Sequence, residues 1–176
     1  MNRDEILLEQ AYHSIYEDNN PFQPASDGEI ENRRKTIQQA ERKQIQEYIE
    51  NGSEGNLHLH QSSLLTLPSN LTTVDGSLFL EDANTTSLND NMHITGCLFI
   101  GLSAIKKLPK NLQVDESLDM SYTAIDSIPD DLSIGDRIYL HESKLHNTHT
   151  IQQILDMYPH LEHALRYEVA FNCDEY

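Results

Sequence analysis

The sequence predicts an α/β solenoid of about five turns, each of ~20 residues, with a parallel β-sheet along one wall and helices closing both ends. Three observations carry this prediction. Apolar pairs with one residue between them recur as Leu57/Leu59, Leu78/Leu80, Leu98/Ile100, Leu118/Met120 and Ile138/Leu140, at offsets of 21, 20, 20 and 20 residues. Further columns hold the same phase, ending each copy on a fixed Pro and a second set of aliphatic residues. Outside residues 55–147 the apolar spacing changes to that of helices.

In a strand, alternate side chains point to opposite faces, so the paired residues face inward and those between them face out. A single copy is too short to bury an apolar face; stacked copies share one core, with strands paired in parallel about 4.8 Å apart. Three residues after each pair stand Ser62, Ala83, Ser103, Thr123 and Ser143. A hydroxyl there can bond the turning main chain, which predicts a buried hydroxyl ladder. Leu64, Thr85, Ile105, Ile125 and Leu145 follow, then Leu67, Leu88, Leu108, Ile128 and Thr148. Pro68, Pro109 and Pro129 come next, with Asn89 in the second copy. Leu71, Met92, Leu112 and Leu132, then Val74, Ile94, Val114 and Ile134, complete the turn. Because proline cannot extend a regular helix, the return side is expected to be irregular or 3₁₀-like.

Solenoid ends expose core unless they are capped. Residues 27–54 form the first cap: Asp27 as N-cap and Gly52 as stop predict a helix over 28–51 carrying Ile30, Ile37, Ala40, Ile45, Tyr48 and Ile49. Its second half, from Ala40, covers the first rung, and its first half is a solvated face. Residues 1–26 read as a short amphipathic helix over 4–17 followed by a turn-rich linker. Residues 148–176 read as the C-terminal cap, with Ile151, Ile154, Leu155 and Tyr158 on one stripe, a break at Pro159, and Leu161, Leu165 and Val169 four residues apart.

The repeat, L-x-L-x-x-S/T-x-I-x-x-L-P-x-x-L-x-V over residues 55–147, resembles the short LPX-type leucine-rich repeat of bacterial effectors and bacteriophage proteins. The resemblance implies a binding scaffold, since one repeat serves many partners. In the effectors such repeats precede a ubiquitin-ligase domain with a catalytic Cys; only about thirty residues follow the last repeat here, too few for that domain. Cys173, beside Asp174 and Glu175, is read as an ordinary terminal thiol. The opening Arg3–Tyr12 is similar to the start of small bacteriophage proteins.

The chain has 176 residues with 29 Asp+Glu against 12 Lys+Arg, a formal charge of −17. Polyanions are repelled by such a surface, which argues against direct nucleic-acid or membrane partners. No apolar run reaches the length of a membrane span and the N-terminus lacks a secretory layout. With only Cys97 and Cys173, a reducing cytosol is expected, that of the host if the protein is viral. No Gly-rich phosphate loop, nucleophile elbow, H-E-x-x-H or carboxylate pair at a catalytic spacing occurs, so neither an enzyme nor a cofactor is expected. Among nine histidines, His58 and His60 share a face, but His141 lies four rungs away, roughly 19 Å, so no metal is expected.

Two candidate binding surfaces remain. The outward columns of the sheet read His58, Phe79, Phe99, Asp119, Tyr139 and His60, Glu81, Gly101, Ser121, His141. Phe79 and Phe99 on adjacent rungs of a wet face would form an interface core, and His58, His60, Glu81, Asp119, Tyr139 and His141 would surround it. The second surface is an acidic rim of Asp115, Glu116, Asp126, Asp130, Asp131 and Asp136, in a window with no Lys or Arg between Lys110 and Arg137. These features predict a non-enzymatic protein-binding module, a phage-encoded inhibitor of a host defence or nucleic-acid-processing protein that acts by steric blocking or acidic mimicry. The partner is a basic or nucleic-acid-binding host protein, and the module is a monomer or small homo-oligomer. A virion assembly component and a small-ligand sequestering protein are the alternatives.

Overall fold

The paired apolar residues form the five strands of one parallel sheet: β1 (Leu57–His58), β3 (Leu78–Phe79), β5 (Leu98–Phe99), β7 (Leu118–Asp119) and β9 (Ile138–Tyr139), in that spatial order. Their register is the sequence period itself, Leu57 opposite Leu78, then Leu98, Leu118 and Ile138. The computed structural model describes residues 26–165. Met1–Lys35 and Thr36–Tyr176 are separate units, and helix α1 (Asp27–Glu50) starts in the first and ends in the second.

The return side differs from expectation: it forms a second parallel sheet of β2 (Thr73–Val74), β4 (His93–Ile94), β6 (Gln113–Val114) and β8 (Ser133–Ile134). The proline column lies four or five residues upstream of these strands, so it bends the chain without removing a donor from the ladder. The β-branched Val74, Ile94, Val114 and Ile134 turn into the core, while the amides of His93, Gln113 and Ser133 donate to Thr72, Met92 and Leu112 carbonyls at 2.9, 2.9 and 3.0 Å. Five strands on one wall and four on the other make about four complete turns.

The inward columns are buried through the first four copies. Leu64, Thr85, Ile105, Ile125 and Leu145 are all 0 % exposed, so the polar Thr85 occupies a core position. It is satisfied by donating its hydroxyl to the Leu64 carbonyl at 2.9 Å. Asn89, where the other copies carry Pro, donates its amide to the Pro68 and Leu71 carbonyls at 2.7 and 2.9 Å and ties the second turn to the first. The fifth copy is incomplete. After Leu140 the chain forms helix α2 (Lys144–Thr148), which leaves Thr148 exposed where a core residue was expected.

The hydroxyl column is buried, as its position implies. Ser62 Oγ accepts from Leu64 N, Thr123 donates to the Met120 carbonyl at 2.7 Å, and Ser143 caps α2 by accepting from His146 N at 3.2 Å. Ser103 Oγ is the exception, enclosed with no partner among the described residues.

Helix α1 is capped by Ser26 rather than Asp27. Ser26 N donates to Glu29 Oε2 at 2.8 Å and Glu29 N donates back to Ser26 Oγ, a reciprocal box read from S-x-x-E. These bonds hold the Glu29 carboxyl below its ordinary pKa. Gly52, at φ +94°, stops the helix as expected, with Ser53 N donating to the Tyr48 carbonyl. Only Ile45 is buried along it, with Tyr48 and Ile49 packed partly beside it; Ala40, Ile30 and Ile37 are exposed. The helix also seals the first rung with polar groups. Glu41 accepts from Ser63 N and Oγ, Gln38 donates to the Ser63 carbonyl, and the Tyr48 hydroxyl donates to the Ser53 and Gly55 carbonyls.

At the other end, helix α3 (Ile151–Met157) carries a Thr150/Gln153 capping box and buries Ile154. Pro159 opens a 3₁₀ turn, Pro159–Leu161. The last strand, β9, does not present a bare edge: Leu165 bridges Ile138, and Ile138 N donates to the Ala164 carbonyl at 2.6 Å. His163 Nε2 lies 3.0 Å from the Ile134 carbonyl at the edge of the second sheet. Val169, the 4–17 stretch and Cys173 lie outside the described residues.

Candidate functional site

Parallel pairing places His58, Phe79, Phe99, Asp119 and Tyr139 in one outward column. Rungs about 4.8 Å apart suit ring stacking. The His58 and Phe79 rings lie 4.5 Å apart at 13°, and Phe79 and Phe99 4.8 Å apart at 12°. His60 flanks the stack, 5.7 Å from His58 and 5.3 Å from Phe79.

The expected wet aromatic face is corrected in one respect. Phe99 is only 6 % exposed, Cys97 beside it 7 %, and Gly101 is buried, so the third rung is withdrawn from solvent and Phe79 is half-buried. Stacking explains part of this, because each ring shields its neighbour. The accessible portion of the column is therefore His58, His60, Phe79 and Glu81 at one end and Asp119, Tyr139 and His141 at the other.

Glu81 is the electrostatic centre of the first group. Burial pushes its carboxyl above the ordinary 4.5; the Asp119 charge adds to the rise, while His60 and His58 oppose it. Its Oε2 is enclosed and makes no aligned hydrogen bond, although His60 Nδ1 stands 3.0 Å away off line. Gly101, one rung on, has no side chain to fill the space towards Asp119, whose Oδ1 accepts from Ser121 N at 2.9 Å. In the second group Arg137 donates to the Tyr139 hydroxyl at 3.4 Å, and His141 meets Tyr122 edge-on at 5.3 Å.

The six rim acids do not form one base-free edge. Asp115, Glu116 and Asp136 lie at the corner between the two sheets, whereas Asp130 and Asp131 precede β8, roughly 16 Å of extended chain from Asp136. Several have partners from other rungs. His93 Nε2 lies 3.0 Å from both Asp115 carboxylate oxygens, Cys97 Sγ donates to Glu116, and Ser117 Oγ donates to Asp136. Arg137 Nε stands 3.6 Å from Asp136 Oδ1, and Lys144 pairs with Asp126 at 2.8 Å, holding that carboxyl below its ordinary range. Apart from Arg137 and Asp136, which are neighbours in sequence, the pairing runs between turns, about twenty residues apart, which a window along the chain does not reveal. Asp130 and Asp131 are exposed.

A feature absent from the sequence reading lies at the turn after each strand of the first sheet. Gln61, Asp82, Leu102, Tyr122 and Glu142 all adopt positive φ, from +52° to +58°. Each of the turns at Ser62, Ala83, Ser103 and Ser143 is closed by an amide donating to the carbonyl three residues back, a geometry that favours Gly or Asn at the third position. The backbone ladder sustains it: Gln61, Asp82, Leu102 and Tyr122 amides donate to Glu81, Gly101, Ser121 and His141 carbonyls on the next rung. The available signal was two large apolar residues, Leu102 and Tyr122, interrupting a polar column.

Among the described residues no three His, Cys, Asp or Glu side chains converge as metal ligands. No helix among them is long and apolar enough to cross a membrane. No protein-family model, no curated protein and no solved structure matches this chain.

Proposed function

We propose that the chain is a non-enzymatic, leucine-rich-repeat-type module that binds a basic, nucleic-acid-binding protein and blocks it. The observation that carries this reading is the accessible His58/His60/Phe79/Glu81 group, in which stacked rings and a half-buried carboxylate sit in register on a two-sheet scaffold. A rigid, preorganised surface loses little entropy on binding. The acidic corners at Asp115, Glu116 and Asp136 and at Asp130 and Asp131 add long-range attraction for a cationic partner and repulsion of nucleic acid. In the viral setting implied by the repeat resemblance, such blocking inhibits a host defence or nucleic-acid-processing protein. Covered ends at Ile138 and Ile134 favour a free module over one that polymerises by strand addition.

The test is affinity capture from nuclease-treated host lysate, with duplex DNA as competitor. The expected result is retention of a basic protein that DNA displaces, salt releases, and the His58→Ser/His60→Ser or Asp115→Lys/Asp136→Lys chain captures poorly. A captured set indifferent to DNA, salt and both double substitutions would overturn the reading.

A further inference from the structure

We infer that the Leu102/Tyr122 ridge is a docking site for a protein segment that combines an apolar anchor residue with flanking Lys or Arg. The inference rests on the reading of the chain as a protein-binding module and names a surface of it that the His58–Tyr139 column and the acidic corners do not include.

The ridge is unusual on two independent counts. Leu102 is 63 % exposed and Tyr122 53 %, among the few large apolar side chains so open in the described chain. Both also sit at positive φ, +58° and +57°, where a bulky L-residue is strained and Gly or Asn is the ordinary solution. Folding gains little from either choice: the side chains bury little, Tyr122 meets the His141 ring edge-on, and the backbone is held in a costly conformation. The same turn position carries Gln61, Asp82 and Glu142 on the other rungs, so the turn itself does not require an apolar residue. Strain retained at an exposed position points to selection for contact with something else.

The surroundings indicate the chemistry of the occupant. Leu102 and Tyr122 stand on adjacent rungs, and the neighbouring column beside Leu102 is Gly101, a shallow place next to an exposed aliphatic side chain. Asp82 on the rung before and Glu142 on the rung after bracket the pair, and Glu81 and Asp119 lie on the columns alongside. Among the described residues, Asp82 accepts from Gln61 Nε2 at 3.2 Å and Glu142 from Asn147 Nδ2 at 3.3 Å, both neutral donors. No Lys or Arg occupies these two outward columns at the five rungs; their basic side chains are His58, His60 and His141. An apolar step framed by carboxylates on both sides complements an apolar residue framed by cations. It repels a nucleic acid or an anionic lipid surface.

The experiment selects a displayed random-peptide library on the full chain and measures the selected peptides against three variants. The expected peptides pair an aromatic or aliphatic residue with Lys or Arg. Leu102→Asn/Tyr122→Asn should weaken them about tenfold or more while leaving thermal stability equal or higher, because Asn suits the left-handed turn. Asp82→Asn/Glu142→Gln should weaken them less and flatten their salt dependence. Selected peptides that lack basic residues, undiminished binding to the Asn variant, or a library without binders above background would each overturn the ridge. Loss confined to His58→Ser/His60→Ser would overturn it too and leave the His58–Tyr139 column as the binding surface. The module reading stands or falls separately, on the capture of a DNA-displaceable protein.

Discussion

At the scale of single residues, the hydroxyl column separates a bonded group from an idle one in nearly identical surroundings. Ser143 caps α2, and Ser143→Ala is expected to cost about 1 kcal/mol. Ser103 Oγ is enclosed without a partner, so Ser103→Ala removes a desolvated hydroxyl and is expected to leave stability unchanged or raise it by up to about 1 kcal/mol. Chemical denaturation of both variants measures the difference, and equal losses would show that Ser103 is bonded. Glu81 makes a pH prediction with a definite sign. Its folded pKa lies above the ordinary 4.5, so the folded state holds the proton more tightly than the unfolded chain. The resulting stabilisation is complete below the ordinary value and is lost as pH rises through the raised one. Glu81→Gln should therefore flatten the stability profile upward from pH 4.5, with a modest effect because the side chain is partly solvated. An unaltered profile would assign the carboxyl an ordinary titration.

At the scale of elements, one of the polar contacts that join the C-terminal cap to the solenoid lies inside an apolar interface. The Tyr158 hydroxyl accepts from the buried amide of Ile128 at 3.0 Å, while Ile154, Leu161 and Leu165 supply the surrounding contacts. Tyr158→Phe keeps the ring and leaves the amide without its acceptor, an expected loss of about 1–3 kcal/mol with an unchanged dependence on denaturant. Legibility also varied by element. The first sheet was plain because both residues of each apolar pair face the core, so the period shows twice per copy. The second sheet was not: it has one aliphatic column in place of a pair, and the outward member varies through Thr73, His93, Gln113 and Ser133. Only the aliphatic column survived as a signal, and the prolines drew the reading towards irregular structure. The start of α1 was mistaken by one residue because Asp27 is itself a good cap, and Ser26 prevails through its reciprocal bonds to Glu29.

At the scale of the whole molecule, the candidate surfaces were half legible. Which residues share an outward column follows from the period alone, so His58, Phe79, Glu81 and Tyr139 fell where expected. Whether a column meets water does not follow, and Phe99 proved buried. Charge pairing was hidden for a related reason. In a solenoid the neighbours of Asp115 and Asp126 are His93 and Lys144, distant in the chain and adjacent in space. The left-handed turns left almost no trace, because Gln, Asp, Leu, Tyr and Glu share no propensity for that conformation. Turn-to-turn hydrogen bonding imposes it.

The turn-to-turn bonds also give the solenoid a mechanical character. Most backbone bonds of both sheets run from one turn to the next, nearly parallel to the stacking axis, as in Leu57 N to Ser77 O, Leu78 N to Cys97 O, Leu98 N to Ser117 O and Leu118 N to Arg137 O. A load pulling Leu57 and Ile138 apart would strain these interfaces in series rather than shear a whole sheet at once. The chain should then yield like a zipper, one turn after another at low force, so that a partner gripping several rungs would act as a splint.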